Sequence, residues 1–143
     1  MKAFVIEHFG APDSFHLADL PKPELLPNHV LIKVAATSIN RVDTMIRQGV
    51  VADIAPDFPA VLHGDVAGVI EAVGNNVNAF KVGNEVYGCA GGVKGTGGAL
   101  AEYMLADSNL IAHKPKSLTM AEAAALPLVS ITAWEGLIDR AQV

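Results

Sequence analysis

The sequence predicts a mainly β body of short strands, followed by a helical C-terminal segment with short helices at the periphery. Three observations lead there. Apolar and polar residues alternate with a two-residue period in several short stretches of the first hundred-odd positions. Thirteen glycines and eight prolines separate them, more turn formers than a helical bundle needs. Helical signals, by contrast, collect after Ser117, with one exception near Asn40. With 51% hydrophobic and only 17% charged residues the chain is globular rather than disordered. At 143 residues it is long enough for one core, burying roughly 68–70% of its unfolded surface.

The elements follow in order. Residues 1–8 read as a first strand and 15–20 as its partner, turned by Gly10-Ala11-Pro12-Asp13. Pro21, Pro23 and Pro27 then keep the chain extended. In the next strand Val30, Ile32, Val34 and Ala36 share one face, with Lys33 and Thr37 on the other. Asn40 changes the pattern: it is a good N-cap, Asp43 stands at the third helical position, and Gly49 can close the end. The spacing of Val42, Met45 and Ile46 predicts a helix over 41–48. A loop with Pro56 and Pro59 leads to a strand over 65–73, bounded by Gly74-Asn75-Asn76. Strands over 85–87, 100–105 and 110–113 complete the body, and the dense glycines of 91–98 read as a mobile surface loop. Thr119-Met120-Ala121-Glu122 is a capping box for an alanine-rich helix that Pro127 ends. A second helix is predicted over 128–140. The composition shift at Ser117 divides the chain into a body, 1–117, and a helical connection, 118–143, toward something larger.

Several function classes fall away. A formal charge of −5 argues against nucleic acid, which needs a basic face. The single cysteine, Cys89, excludes an intramolecular disulfide and a thiolate-rich zinc site, and fits a reducing, cytoplasmic setting. The apolar run at the N-terminus is too short for a signal-peptide core. No stretch reaches the ~18 apolar residues of a membrane span. Ser38 and Ser130 have no recognisable general-base partner, so serine hydrolysis has no support. No strand–G-x-G-x-x-G–helix unit occurs, and Gly91 to Gly98 do not fit that spacing.

Several motifs in series carry a resemblance. They are Ser38-Ile39-Asn40-Arg41-Val42-Asp43-Thr44-Met45-Ile46-Arg47-Gln48-Gly49, then Gly64-Asp65-Val66-Ala67-Gly68-Val69-Ile70-Glu71-Ala72-Val73-Gly74, then Val82-Gly83-Asn84-Glu85-Val86-Tyr87-Gly88. Gly98-Ala99-Leu100-Ala101-Glu102-Tyr103 and Ala123-Ala124-Ala125-Leu126-Pro127, ahead of Thr132-Ala133-Trp134, follow in the same order. The series resembles the medium-chain dehydrogenase/reductase superfamily, in its zinc-free quinone-oxidoreductase branch. The resemblance implies an N-terminal, GroES-like, partly open β-barrel domain. It would be the substrate-side domain of an enzyme moving hydride from NADPH (or NADH) to a quinone or an activated alkene or ketone. A Rossmann domain would hold most of the cofactor, so these 143 residues alone would be inactive; a homo-oligomer is left open. The alternatives are a GroES-like binding or scaffold module without catalysis and, less favoured, a zinc alcohol dehydrogenase.

The resemblance also assigns residues, each with a plainer reading beside it. In the zinc enzymes a cysteine stands where this chain has Asn40 and a histidine where it has Asp65, so no metal is expected; Asp65 reads instead as an anchor for backbone amides behind the site. Asn40 would lie beside the nicotinamide and, with Asp43, form the catalytic pair, although both also serve as a helix cap. Thr132 would approach the nicotinamide, or simply bond back within its helix. Met45 stands where many relatives carry a tyrosine. A thioether donates no proton, which leaves Met45 as pocket wall or core. His63, next to Gly64-Asp65, is a candidate substrate contact.

Overall fold

A computed structural model describes residues 1–143. Its strands are β1 (Lys2–Val5), β2 (His16–Asp19), β3 (His29–Thr37), β4 (Asp65–Val73), β5 (Glu85–Cys89), β6 (Tyr103–Asp107) and β7 (Ile111–His113). Helix α1 (Arg41–Gln48) lies between β3 and β4, and α2 (Met120–Ala124) and α3 (Pro127–Trp134) follow β7. The chain from Glu135–Arg140 continues α3 as a π-helical segment. β1 and β2 form an antiparallel pair, and the other strands make one antiparallel sheet in the order β6-β3-β4-β5-β7. β6 and β7 remain edges, so the barrel stays open, as expected. Two register shifts between β3 and β4, at Leu31/Ile32 and Val34/Ala36, mark bulges that bend the sheet.

The core follows the sequence alternation. Val30 and Ile32 of β3, Val66 and Ile70 of β4, Val86 and Met104 are buried together. A second cluster packs Ile46 of α1 under Ile6, Ala60 and Leu62. α1 is bounded as predicted: Asn40 and Asp43 make a capping box and Gly49 closes the helix at φ +78°. A Cβ on Gly49 would lie 2.9 Å from the Phe9 ring, so the position requires glycine on two counts. α2 opens on its own capping box, the Glu122 N–H donating to Thr119 Oγ1 at 3.3 Å. It presses Ala123 and Ala124 onto Ala67 of β4. No helix is long and apolar enough to cross a membrane.

Two expectations change. The strand placed at 100–105 runs instead over Tyr103–Asp107. Residues 98–100 direct their amides elsewhere: Gly98, Ala99 and Leu100 donate to Val61, His63 and Leu62, and Leu100 O accepts the Phe4 N–H at 2.8 Å. This irregular segment joins the small sheet to the large one. The glycine stretch is likewise no loose loop at its ends. A Cβ on Gly98 would sit 2.0 Å from Leu62 O, and one on Gly91 2.2 Å from Gly97 O. Those glycines permit close backbone approach, and only 93–97 are exposed.

Candidate active-site cleft

Asp65 opens β4 with none of its surface exposed, and its carboxylate is the hub of the site. Oδ2 accepts from Ser38 Oγ and from Asn40 Nδ2, both at 2.9 Å. Oδ1 accepts the Leu128 N–H at 3.0 Å. The Asp65 carbonyl accepts from Thr37 Oγ1 at 2.6 Å. The loop before α1, the start of β4 and the first turn of α3 therefore meet at one buried side chain. Burial without partners would cost several kcal/mol, of order 2–7 for a polar group; here every oxygen is engaged.

Beside this hub, bounded by its partners Asn40 and Leu128, lies an open cleft of about 620 Å³. Asn40, Arg41 and Val42 form one wall, and Leu128, Val129 and Thr132 the other. Residues 40 and 132, remote in sequence, thus share one cavity. Asn40 has extended backbone and its N–H donates to Asp43 Oδ2 at 2.7 Å, so cap and cleft positions coincide. The Thr132 hydroxyl donates back to Leu128 O at 2.9 Å and keeps its lone pairs available as acceptors.

The other candidates sit on the far side of α1. Asp43 and His63 line a separate pocket of about 220 Å³ with Phe15, Ile39 and Arg47. Burial raises the Asp43 carboxyl above its ordinary value, opposed by the Asn40 N–H and the nearby His63. Burial lowers the His63 imidazole, opposed by Asp43 and Asp65. His63 adopts φ +73° and places Nδ1 3.4 Å from Thr37 Oγ1. Met45 is half-buried and lines neither cavity. Cys89 borders Asp65, and burial first, then that carboxylate, pushes its thiol up to about 12. A thiol held so is a poor nucleophile at neutral pH.

Reading the sequence as an anchor behind the site captured only part of Asp65, and Ser38 and Leu128 were missed as its partners. The available signal was an acid at the head of an otherwise apolar strand, Val66-Ala67-Gly68-Val69-Ile70. Such a residue is buried and must be fully paired.

Comparison with known proteins agrees with this architecture. Residues 26–116 match the alcohol dehydrogenase GroES-like domain. The chain is 41% identical over 143 residues to the chloroplastic NADPH-dependent alkenal/one oxidoreductase of Arabidopsis thaliana, covering 96% of this chain and 37% of that protein. Over 144 residues it is 38% identical to the quinone oxidoreductase of Homo sapiens, covering 100% of this chain and 42% of that one. The crystal structure of an alcohol dehydrogenase superfamily protein from Novosphingobium aromaticivorans superposes with a TM-score of 0.93 at 45% identity. That match covers 100% of this chain and 43% of the other. The chain thus spans about two fifths of the length of these relatives.

Proposed function

The chain belongs to the alcohol dehydrogenase GroES-like domain family, within the medium-chain dehydrogenase/reductase superfamily, and from that premise we propose that the whole protein is an NADPH-dependent reductase of quinones or activated alkenes or ketones. The observation that carries the reading is the pairing of Asn40 and Thr132 across one cleft. Its chemistry suits a nicotinamide ring: Val42, Leu128 and Val129 offer apolar surface to the ring faces, while Asn40 and Thr132 offer polar atoms to the carboxamide. Bound there, NADPH would supply the hydride. The residues of this chain would orient the ring and keep water from it. Residues 118–143 would lead into the cofactor domain, and the relatives' greater length supports that placement.

The reaction is proposed to be zinc-free. Asp65 already accepts three hydrogen bonds, and Asn40 turns N–H groups, which cannot ligate a metal, toward it. Met45 donates no proton, and no carboxyl, imidazole or phenol lines the Asn40/Thr132 cleft, so the acid for a reduced carbonyl would be solvent or a group from outside that cleft. The test is turnover of the full-length protein with NADPH and a quinone or 2-alkenal, with and without a chelator. The expected result is NADPH oxidation that the chelator does not change. Loss of activity on chelation would overturn the zinc-free part, and no oxidation with any electrophile would overturn the enzyme.

A further inference from the structure

We propose that Asp65 is a positioning residue that sets the two walls of the cleft against each other, holding the Asn40 amide on one side and the first turn of α3 on the other. The inference rests on reading that cleft as the nicotinamide site, and it gives Asp65 a part in the geometry of that site beyond anchoring backbone amides behind it.

Two observations carry it. The first is how α3 is held. The bond from the Leu128 N–H to Asp65 Oδ1 is the one hydrogen bond between residues 127–143 and the β body; the other hydrogen bonds of that segment stay within 123–143. Pro127 has no N–H, so Leu128 carries the first free donor of α3, and a carboxylate there also meets the positive end of the helix. The remaining hold on α3 is apolar contact, which is non-directional. Beyond its short joint to α2, the pitch of α3, and with it the distance from Thr132 to Asn40, therefore depends on this one directional bond.

The second observation concerns Asn40. The amide nitrogen of Asn40 is the end that faces Asp65, donating to Oδ2 at 2.9 Å. The amide oxygen is thereby turned away from Asp65 and remains an acceptor, suited to a ligand N–H such as that of a carboxamide. Ser38 Oγ shares the same Asp65 oxygen and fixes its direction. One side chain thus decides both which end of Asn40 a ligand meets and where the opposite wall stands.

Asp65→Asn is the discriminating change, because it keeps the volume but not the acceptors. One of its two head atoms becomes an NH₂, which faces either the Leu128 N–H, a donor against a donor, or the Asn40 amide, which must then flip and turn its NH₂ toward the ligand. In the full-length protein with NADPH and a quinone, Asp65→Asn should lower kcat about tenfold while KM for the quinone stays within about twofold. Added to Asn40→Ala, it should lower kcat by less than about threefold, since residues acting as a unit are non-additive. Losses that multiply in full would overturn the proposal. Hydrogen exchange gives a readout independent of turnover: the Leu128 amide should exchange at least about tenfold faster in Asp65→Asn, with β3 and β4 still protected. Unchanged exchange at Leu128 would overturn the proposal even if the enzyme reading stands. Faster exchange would uphold the α3 half of it even if no NADPH is oxidised. If Asp65→Asn does not fold, Ser38→Ala with Asn40→Ala replaces it, non-additive effects on kcat supporting the proposal and additive ones overturning it.

Discussion

The two helices that frame the cleft are each eight residues long, and they treat their apolar side chains in opposite ways. α1 is amphipathic: Ile46 is fully buried against Ile6, Ala60 and Leu62 while Arg41 and Gln48 face solvent. α3, with the sequence Pro-Leu-Val-Ser-Ile-Thr-Ala-Trp, is apolar on most sides yet buries only Pro127. Ile131 is 55% exposed and Trp134 62%. A helix apolar all round is normally covered all round. The difference teaches that α1 is completed by the domain it belongs to, whereas α3 carries side chains that this domain does not use. Under the proposed function the cofactor domain would cover them.

The contrast can be broken by mutation. Ile46→Ala in the 143-residue chain should cost about 2–5 kcal/mol, the transfer and cavity cost of a buried isoleucine. Ile131→Ala, of the same chemistry on α3, should change stability by no more than about 0.5 kcal/mol. Urea unfolding of both variants measures this. Equal losses would mean that α3 is packed as tightly as α1.

A smaller effect tests the buried side of α1 by pH. The His63 imidazole is lowered from its ordinary 6.5, so below that value the unfolded chain takes up a proton that the folded chain resists. Its contribution to stability therefore falls as pH drops below 6.5. Asp43 is raised from 3.8, so the folded chain keeps a proton that the unfolded one has lost, and stability from this group falls as pH rises from 3.8 to the raised value. The two windows run in opposite directions. His63→Asn, whose side chain tolerates the φ of +73°, should remove the acid-side slope below 6.5, worth at most about 1.4 kcal/mol per pH unit. Midpoints at pH 7.5, 6.5 and 5.5 decide it; an unchanged slope would assign the titration to another group. α3 contains no titratable residue and should contribute nothing.

Next in size is the joint between the two regions. Thr119→Ala removes the acceptor for the Glu122 N–H and should cost about 1 kcal/mol, by loosening α2 and the α3 that follows. Exchange at 120–126 should rise while that of α1 stays the same.

How much was legible in the sequence follows the same divide. α1 and β4 have the predicted ends, 41–48 and 65–73, because caps, glycines and periodicity are local signals. Residues 100–102 were misplaced in a strand because their partners, Lys2, Phe4 and Leu62, are remote in sequence and no local pattern names them. The glycines of 91–98 misled for a related reason: composition does not distinguish flexibility from close packing. At the site, Asn40 and Thr132 were legible through resemblance, and the cleft brings them together. Asp43 fell into a separate pocket because α1 turns 43, 44 and 47 away from 41 and 42, and His63, in the loop before β4, lines that pocket with it.

The smallest expected effect is none at all, and it bears most directly on what α3 lacks. NADPH added to the 143-residue chain should leave both Trp134 fluorescence and thermal midpoint unchanged. Dinucleotide affinity comes largely from a glycine-rich turn and a helix N-terminus that receive the pyrophosphate, and this chain has no such unit. Asn40 and Thr132 would touch only the nicotinamide end. Association costs an estimated 4–15 kcal/mol in lost freedom, more than two polar contacts and a half-open apolar wall can offset. Trp134 is exposed and lines a different pocket, with Ser130 and Glu135, so the thermal midpoint is the readout that decides occupancy. The same titration on the full-length protein should saturate, and the comparison between the two isolates what the rest of the protein adds. Saturable micromolar binding by the 143 residues alone would show instead that α1 and α3 already form a complete site, and would erase the difference between them.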